Sequence, residues 1–371
     1  MMSIIQTLSA LLKERQAIPF VEFMQLALYA PGIGYYSSGL QKLGKQGDFI
    51  TAPELTPLFG KTLANQCQQV LKEFESPVLF EFGAGSGALC VALLEHLAEH
   101  NSLPETYYIL EVSANLHQRQ RELIAQKIPH LAHLVTWLDR WPETPFNGVV
   151  LANEVLDAMP VHRFMKTEQG IMESYIALNE QQQLTELFKP CHNQRLLDYI
   201  NNRLSLPNTP YLSEVNLFID DWIVNNYHML KQGVVFLIDY GFPRHEYYHP
   251  DRNQGTLMCH YQHQSHPEPL LHPGEQDITA HVDFTHVAEA GQHAGFHIAG
   301  FTNQASFLLA NGLLSLINTL DSELEQVQAK QAIKQLTLPS EMGELFKVIA
   351  LSKNVEISLN GFLLNDKRVS L

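Results

Sequence analysis

The sequence predicts an α/β fold: a doubly wound, mostly parallel sheet of Rossmann-like type, with an N-terminal helical segment and an inserted β-rich subdomain. Three observations carry this expectation. Residues 78–87, V-L-F-E-F-G-A-G-S-G, run from an apolar stretch through alternate glycines into the helical spacing of A-L-C-V-A-L-L-E-H-L. That is a strand, a tight turn and a helix start. Short apolar runs and helical runs then alternate as far as Pro160, the pattern of parallel strands joined by helical crossovers. Beyond Pro160 the alternation breaks into hairpin-like segments, and a buried strand at 234–239, V-V-F-L-I-D, resumes it.

Each element follows from local pattern. Residues 3–15 and 20–29 carry helical apolar spacing, and the second stretch stops before Pro31. P-G-I-G-Y-Y-S-S-G-L and K-Q-G-D-F-I-T-A-P-E-L form a region punctuated by Gly and Pro. A helix is expected at 56–73, strands at 78–82, 107–112, 133–137 and 147–152, and helices at 87–99 and 114–126. In 161–190, H-R-F-M-K-T, I-M-E-S-Y-I-A-L and Q-L-T-E-L-F-K-P read as hairpin strands, followed by a helix at 193–204. The core resumes with a helix at 214–231 and the strand at 234–239, and the His- and Pro-rich stretch 242–280 reads as a long ordered loop or lid. A helix at 281–294, a strand at 296–301, a helix at 303–319 and a strand at 345–351 complete the pattern. The expected units are a helical segment at 1–45, the first part of the core at 46–160, the insertion at 161–213 and the rest of the core at 214–371.

Composition removes several functions. The formal net charge of −15 argues against nucleic acid as a partner, because a phosphate backbone needs clustered Lys and Arg. The acidic balance suits a cationic substrate. The four cysteines form no C-x-x-C pair and suggest neither a zinc site nor a disulfide framework. The histidines at 245–272 match no chelating spacing, so no metal is expected. No apolar run is long enough to span a membrane, and the N-terminus lacks the layout of a secretory signal, so a cytoplasmic location is expected.

The chemistry centres on the glycine turn. Gly83, Gly85 and Gly87 let a ligand lie against bare backbone, and the helix that follows offers unpaired N–H groups. Glu81 places a carboxylate beside the turn, and Glu111 closes the next apolar run, Y-Y-I-L-E-V, where it can accept ribose hydroxyls. Gly83, Gly85 and Ala88 satisfy the dinucleotide fingerprint in its loose form, so an NAD-linked oxidoreductase stays open at this point. The tighter reading is E-x-G-x-G-x-G, the pattern of S-adenosylmethionine (SAM) methyltransferases, whose cofactor carries a cationic amine suited to Glu81.

With these blocks in place the chain resembles the MidA-like family of SAM-dependent methyltransferases, whose mitochondrial members assist assembly of respiratory complex I. The likeness rests on G-Y-Y at 34–36, G-D-F-I-T-A-P-E at 47–54, E-F-G-A-G-S-G at 81–87, N-E-V-L-D-A-M-P-V at 153–161, I-D-Y-G at 238–241, G-T-L at 255–257 and D-I-T-A-H-V-D-F at 277–284. It implies a class I methyltransferase fold, SAM as cofactor, and protein arginine methylation with a complex I subunit as a possible acceptor. A SAM-binding assembly chaperone without turnover is the alternative. The resemblance places Glu81, Gly83, Gly85, Gly87 and Glu111 around the cofactor, with Asp48, Phe49 and Thr51 on a loop closing over it. Glu154 becomes the acid that grips an acceptor guanidinium, with Asn153 and Asp157 in support. Capping of a helix just beyond the strand competes for N-E-V-L-D. Asp239 and Tyr240 stand where they could face the acceptor or merely end a strand, and capping competes for Asp283.

Overall fold

A computed structural model describes residues 3–38, 51–207, 210–320 and 322–371. Its central sheet is built from β1 (Val78–Phe82), β2 (Thr106–Leu110), β3 (Val135–Leu138), β4 (Phe146–Asn153), β5 (Leu230–Phe242), β6 (His297–Asn303) and β7 (Phe346–Lys353). The spatial order is 3-2-1-4-5-7-6. The first five strands are mutually parallel, and β7 runs antiparallel between β5 and β6. This is the class I methyltransferase arrangement. All five residues of β1 are buried, which is why this strand reads as an unbroken apolar run around one acid.

Helices cover both faces. Pro57–Leu71 and Ala88–Glu99 pack one face through Leu63, Cys67, Leu93 and Leu97. Ile219–Met229 and Phe284–Ala294 pack the other through Ile223 and Val287. Because β2 lies on one side of β1 and β4 on the other, the chain leaves β1 at a switch point, where a crevice opens at the carboxyl ends of the strands.

Two smaller sheets flank this crevice. One has five strands: Ala17–Pro19, His162–Thr167, Gly170–Leu178, Leu184–Pro190 and Tyr211–Val215. The other has three: Met258–Tyr261, Gln264–His266 and Asp277–Thr279. The N-terminal helices Ile4–Arg15 and Phe20–Tyr29 share a core with both, in which Leu8, Phe23 and Leu28 meet Ile176, Cys259 and Ile278. The N-terminal residues Ala17–Pro19 pair directly with Tyr175–Ala177 of the insertion.

Several local expectations are revised. Residues 214–231 are not one helix. Tyr211–Val215 pairs with His162–Lys166, and the helix begins at Ile219. Cross-strand pairing here overrides a spacing compatible with helix. The stretch 242–280 is not one loop, since it holds the three-stranded sheet whose Cys259 and Ile278 are buried. The helix expected at 303–319 stops at Ala310, and a turn and a 3-10 segment at Ser315–Thr319 follow. The helix Glu323–Thr337 was not anticipated, although its capping box, Ser322 with Glu325, stands in the sequence. Among the described residues no helix is long and apolar enough to cross a membrane.

Candidate functional site

The crevice is a cavity of about 560 Å³ running from the glycine turn, past the end of β4, to the N-terminal helices and the three-stranded sheet. At the cofactor end the chain leaves β1 through Gly83 (φ +58°), Gly85 (φ +57°) and Gly87 (φ +92°). All three lie in the left-handed region that disfavours a Cβ. Gly83 N–H donates to the Leu110 carbonyl (3.1 Å), tying the turn to the end of β2. Gly87 leads into the helix Ala88–Glu99, and the Ser86 hydroxyl both accepts from Ala88 N–H (3.2 Å) and donates to the Glu54 carboxylate.

Glu81 is 3% exposed and accepts a 2.6 Å hydrogen bond from the Tyr107 hydroxyl. Burial pushes its carboxyl up to about 7 against the pull of that hydroxyl, and the Glu111 charge adds to the rise. Glu111 follows β2. Its Oε1 accepts from Ser113 N–H (2.8 Å) and its Oε2 from Gln120 Nε2 (2.9 Å). The same Gln120 nitrogen donates to the Gly85 carbonyl (3.0 Å), and Gln120 Oε1 accepts from Trp137 (2.9 Å). One glutamine therefore holds the glycine turn and the second acid in fixed relation.

At the other end, Asn153 closes β4 and Glu154 turns the chain with φ +53°, a conformation costly for any residue but glycine. The turn is held from the neighbouring strand. Glu154 N–H donates to the Ile238 carbonyl (2.9 Å), and Asp239 Oδ2 accepts from the N–H groups of Leu156 (3.0 Å) and Asp157 (3.2 Å). No helix starts here, so the capping alternative for N-E-V-L-D falls, and Asp157 is carried by a turn. Asp239 itself holds the turn, whereas Tyr240 lines the cavity and hydrogen-bonds the Asp157 carboxyl. Asp283 caps the helix Phe284–Ala294 through His286 N–H (3.1 Å).

Burial and the nearby Asp157 and Asp277 push Glu154 up to about 8, opposed by hydrogen bonds from Asn153 Nδ2 (3.1 Å) and the Ala52 N–H. Burial pushes Asp157 up to about 6. Asn153 Oδ1 and Asp157 Oδ1 are both buried without a hydrogen-bond partner among the described residues. Thr51, at the N-cap of the short helix Ala52–Leu55, lines the cavity. Asp48 and Phe49 lie outside the described residues.

Three residues of this end carried no assigned role in the sequence reading. Asp277, 1% exposed, accepts from the Tyr36 hydroxyl (2.9 and 3.0 Å), and Tyr36 stacks on Tyr29 at 5.5 Å. Tyr29 in turn donates to the Ala158 carbonyl (2.8 Å), beside the Asp157 turn. The blocks G-Y-Y and D-I-T contained two of them, but nothing local said that they would meet. In total six carboxylates line the cavity, from Glu54, Glu81, Glu111, Glu154, Asp157 and Asp277, and no Lys or Arg does so among the described residues. A nucleoside bearing a sulfonium and an ammonium fits the cofactor end: bare backbone for close approach, Glu111 lining the same cavity as the turn, and carboxylates in place of the cations a pyrophosphate would call for.

Comparison with known proteins agrees. The profile of a family described as S-adenosyl-L-methionine-dependent methyltransferases matches residues 62–302. A Burkholderia thailandensis protein crystallised with S-adenosyl-homocysteine is 40% identical and superposes with a TM-score of 0.94, over 99% of this chain and 96% of that one. The mitochondrial protein arginine methyltransferase NDUFAF7 of Mus musculus is 27% identical over 92% of this chain and 82% of its own length. Its Drosophila melanogaster homologue is 26% identical over 95% and 85%. The cofactor is S-adenosyl-L-methionine, which sets aside the dinucleotide reading of the loose fingerprint. The chain belongs to the MidA-like family of S-adenosyl-L-methionine-dependent methyltransferases.

Proposed function

We propose that this methyltransferase acts on arginine side chains of a protein, with the guanidinium held at the Glu154 end of the cavity. The observation that carries the reading is the one-sided polarity of that end. Among the described residues no Lys or Arg lines the cavity, Glu154 and Asp157 stand together there, and the buried oxygens Asn153 Oδ1 and Asp157 Oδ1 lack donors. A guanidinium is a planar cation with five N–H donors and no acceptor, and it complements such a site in both charge and hydrogen bonding. The names of the curated relatives point the same way. A respiratory complex I subunit, suggested by the family resemblance, is one candidate acceptor.

The cofactor supplies an electrophilic methyl group on a sulfonium. This chain's residues have two tasks. Gly83, Gly85, Gly87, Glu81, Glu111 and Thr51 hold the donor at one end, while Glu154 grips the acceptor fork and Asn153 and Asp157 orient it, bringing the reacting atoms to within about 3–3.5 Å. As the new N–C bond forms, the S–C electron pair returns to sulfur. In this reading the guanidinium nitrogen then sheds one proton to the Asp157 carboxylate, whose Oδ1 has no hydrogen-bond partner among the described residues. Bidentate contact with Glu154 draws positive charge toward the far side of the fork and frees electron density on the attacking nitrogen.

The test is incubation of the protein with labelled S-adenosyl-L-methionine and a host lysate, followed by mass spectrometry of modified peptides. Methylated arginine that disappears in Glu154→Gln supports the reading. Methyl groups found only on other residue types overturn the arginine assignment. Partner capture by a wild-type protein that never transfers methyl would favour the chaperone alternative.

A further inference from the structure

Away from the cavity, His96, Glu99 and His100 gather at the last turn of the helix Ala88–Glu99, with one ligand-capable atom from each within 4.8 Å of the others. The hydrogen bonds around them fix which nitrogen each ring presents. Asn65 Nδ2 donates to the Asn311 carbonyl (2.9 Å), so the atom facing His96 Nε2 at 2.7 Å is the amide oxygen. An amide oxygen only accepts, hence Nε2 carries the proton and Nδ1 of the neutral ring carries a lone pair. Among the described residues that Nδ1 has no hydrogen-bond partner; it is buried, on a side chain 6% exposed, and lies 3.8 Å from Glu99 Oε2. His100 repeats the arrangement. Its Nδ1 lies 2.8 Å from the His96 carbonyl and must donate to it, leaving Nε2 as the acceptor.

Each of the three side chains therefore keeps an unprotonated donor: His96 Nδ1, His100 Nε2 and a Glu99 carboxylate oxygen. Each histidine gives its remaining N–H to a carbonyl, which is how ligating imidazoles are oriented in metal sites. The unpaired carbonyls at a helix C-terminus also favour a nearby cation.

We propose that His96, Glu99 and His100 bind a divalent transition-metal cation of the zinc class, through two imidazole nitrogens and one carboxylate oxygen, with solvent completing the shell. The site stands at the opposite end of this helix from the glycine turn, about 18 Å away for twelve residues. The cation is structural here. It braces the helix end where Asn65 ties the helix Pro57–Leu71 to Asn311.

The experiment is calorimetric titration of metal-stripped protein with Zn²⁺, paired with thermal unfolding, for the wild type, Glu99→Gln and His100→Ala. His100 and Glu99 are exposed, and unchanged S-adenosyl-homocysteine binding verifies the fold of each variant. The variants are essential because eighteen histidines offer adventitious binding. The expected result is one Zn²⁺ per chain with a raised melting temperature, and at least about a tenfold loss of affinity in His100→Ala, with a smaller loss in Glu99→Gln. Wild-type affinity in both variants, or no saturable binding by the wild type, overturns the assignment.

Discussion

The two ends of the cavity are built on opposite plans. The cofactor end is nearly all backbone from one continuous stretch, residues 81–88, with Glu111 set by Gln120 one helix later. The acceptor end is all side chains, brought from the N-terminal helices, the turn after β4, the end of β5 and the three-stranded sheet. The shape of the first end comes from one strand, one turn and one helix, with Gln120 tying them to Glu111. The second needs the whole molecule. Two consequences follow: the first end presents a shape that many nucleoside cofactors could use, whereas the second concentrates charge whose burial is unfavourable until a cation arrives.

The largest test of this contrast strikes the acceptor end alone. Glu154→Gln keeps the shape of the turn and removes the charge. Losing one partner of a buried, hydrogen-bonded ion pair typically costs 2–5 kcal/mol, so methyl transfer is expected to fall by about 100-fold or more. Binding of S-adenosyl-homocysteine, followed by calorimetry, should be unchanged. Equal losses in both measurements would show that the two ends are one unit.

Gly85→Val is the reciprocal change. A β-branched residue at φ +57° costs about 1–2 kcal/mol in backbone strain alone, so cofactor affinity should drop by about tenfold. Acceptor binding, measured with an arginine peptide in the absence of cofactor, should survive. An unaltered cofactor affinity would mean that this glycine shapes nothing the ligand uses.

The same contrast governs what the sequence could reveal. The strand–helix alternation, the glycine turn and Glu111 were legible because each rests on short-range pattern: an apolar run, a glycine spacing, an acid closing a strand. Glu154 could be singled out only through the resemblance of N-E-V-L-D-A-M-P-V, and a helix start remained a competing account of its setting. The hydrogen bonds that refuse the helix come from Ile238 and Asp239, more than 80 positions away. Tyr36 and Asp277 pair across 241 positions, a contact that no window of sequence contains. The strand Tyr211–Val215 was lost for a related reason: its partner, not its own residues, decides between strand and helix.

Unequal burial of charge also predicts a pH response. Burial holds Glu154 at about 8 and Glu81 at about 7 in the folded protein without ligand, above the ordinary carboxylate range. Between that range and those values the folded state binds protons that the unfolded chain has released, so stability falls as pH rises. Melting temperatures of the cofactor-free protein should therefore decline from about pH 5 to about pH 8. Glu154→Gln has no such proton to lose, and its decline should be shallower above about pH 6 while its stability at pH 8 exceeds that of the wild type. Parallel profiles would place the Glu154 charge in solvent.

The smallest expected effect is the most discriminating for the acceptor end. Tyr36→Phe removes one hydroxyl that donates to Asp277 and leaves the ring stacked on Tyr29. If Asp277 serves only to anchor the N-terminal helices, the loss is a modest fall in stability with methyl-transfer kinetics untouched. If Asp277 is part of the guanidinium site, its carboxylate loses a donor that orients it, and the substrate must do the orienting. A net hydrogen bond contributes about 0.5–1.5 kcal/mol, so the KM for an arginine acceptor should rise by about 2–10-fold. Cofactor affinity should not move, because Tyr36 reaches Asp277 and Tyr29 at the acceptor end. The direction of the kcat change separates the two roles further: a carboxylate that grips only the bound acceptor affects KM and leaves kcat in place, whereas one needed in the transition state lowers kcat in proportion. Asp277→Asn extends the same measurement by removing the charge itself, and should deepen the KM effect without reaching the loss expected for Glu154→Gln.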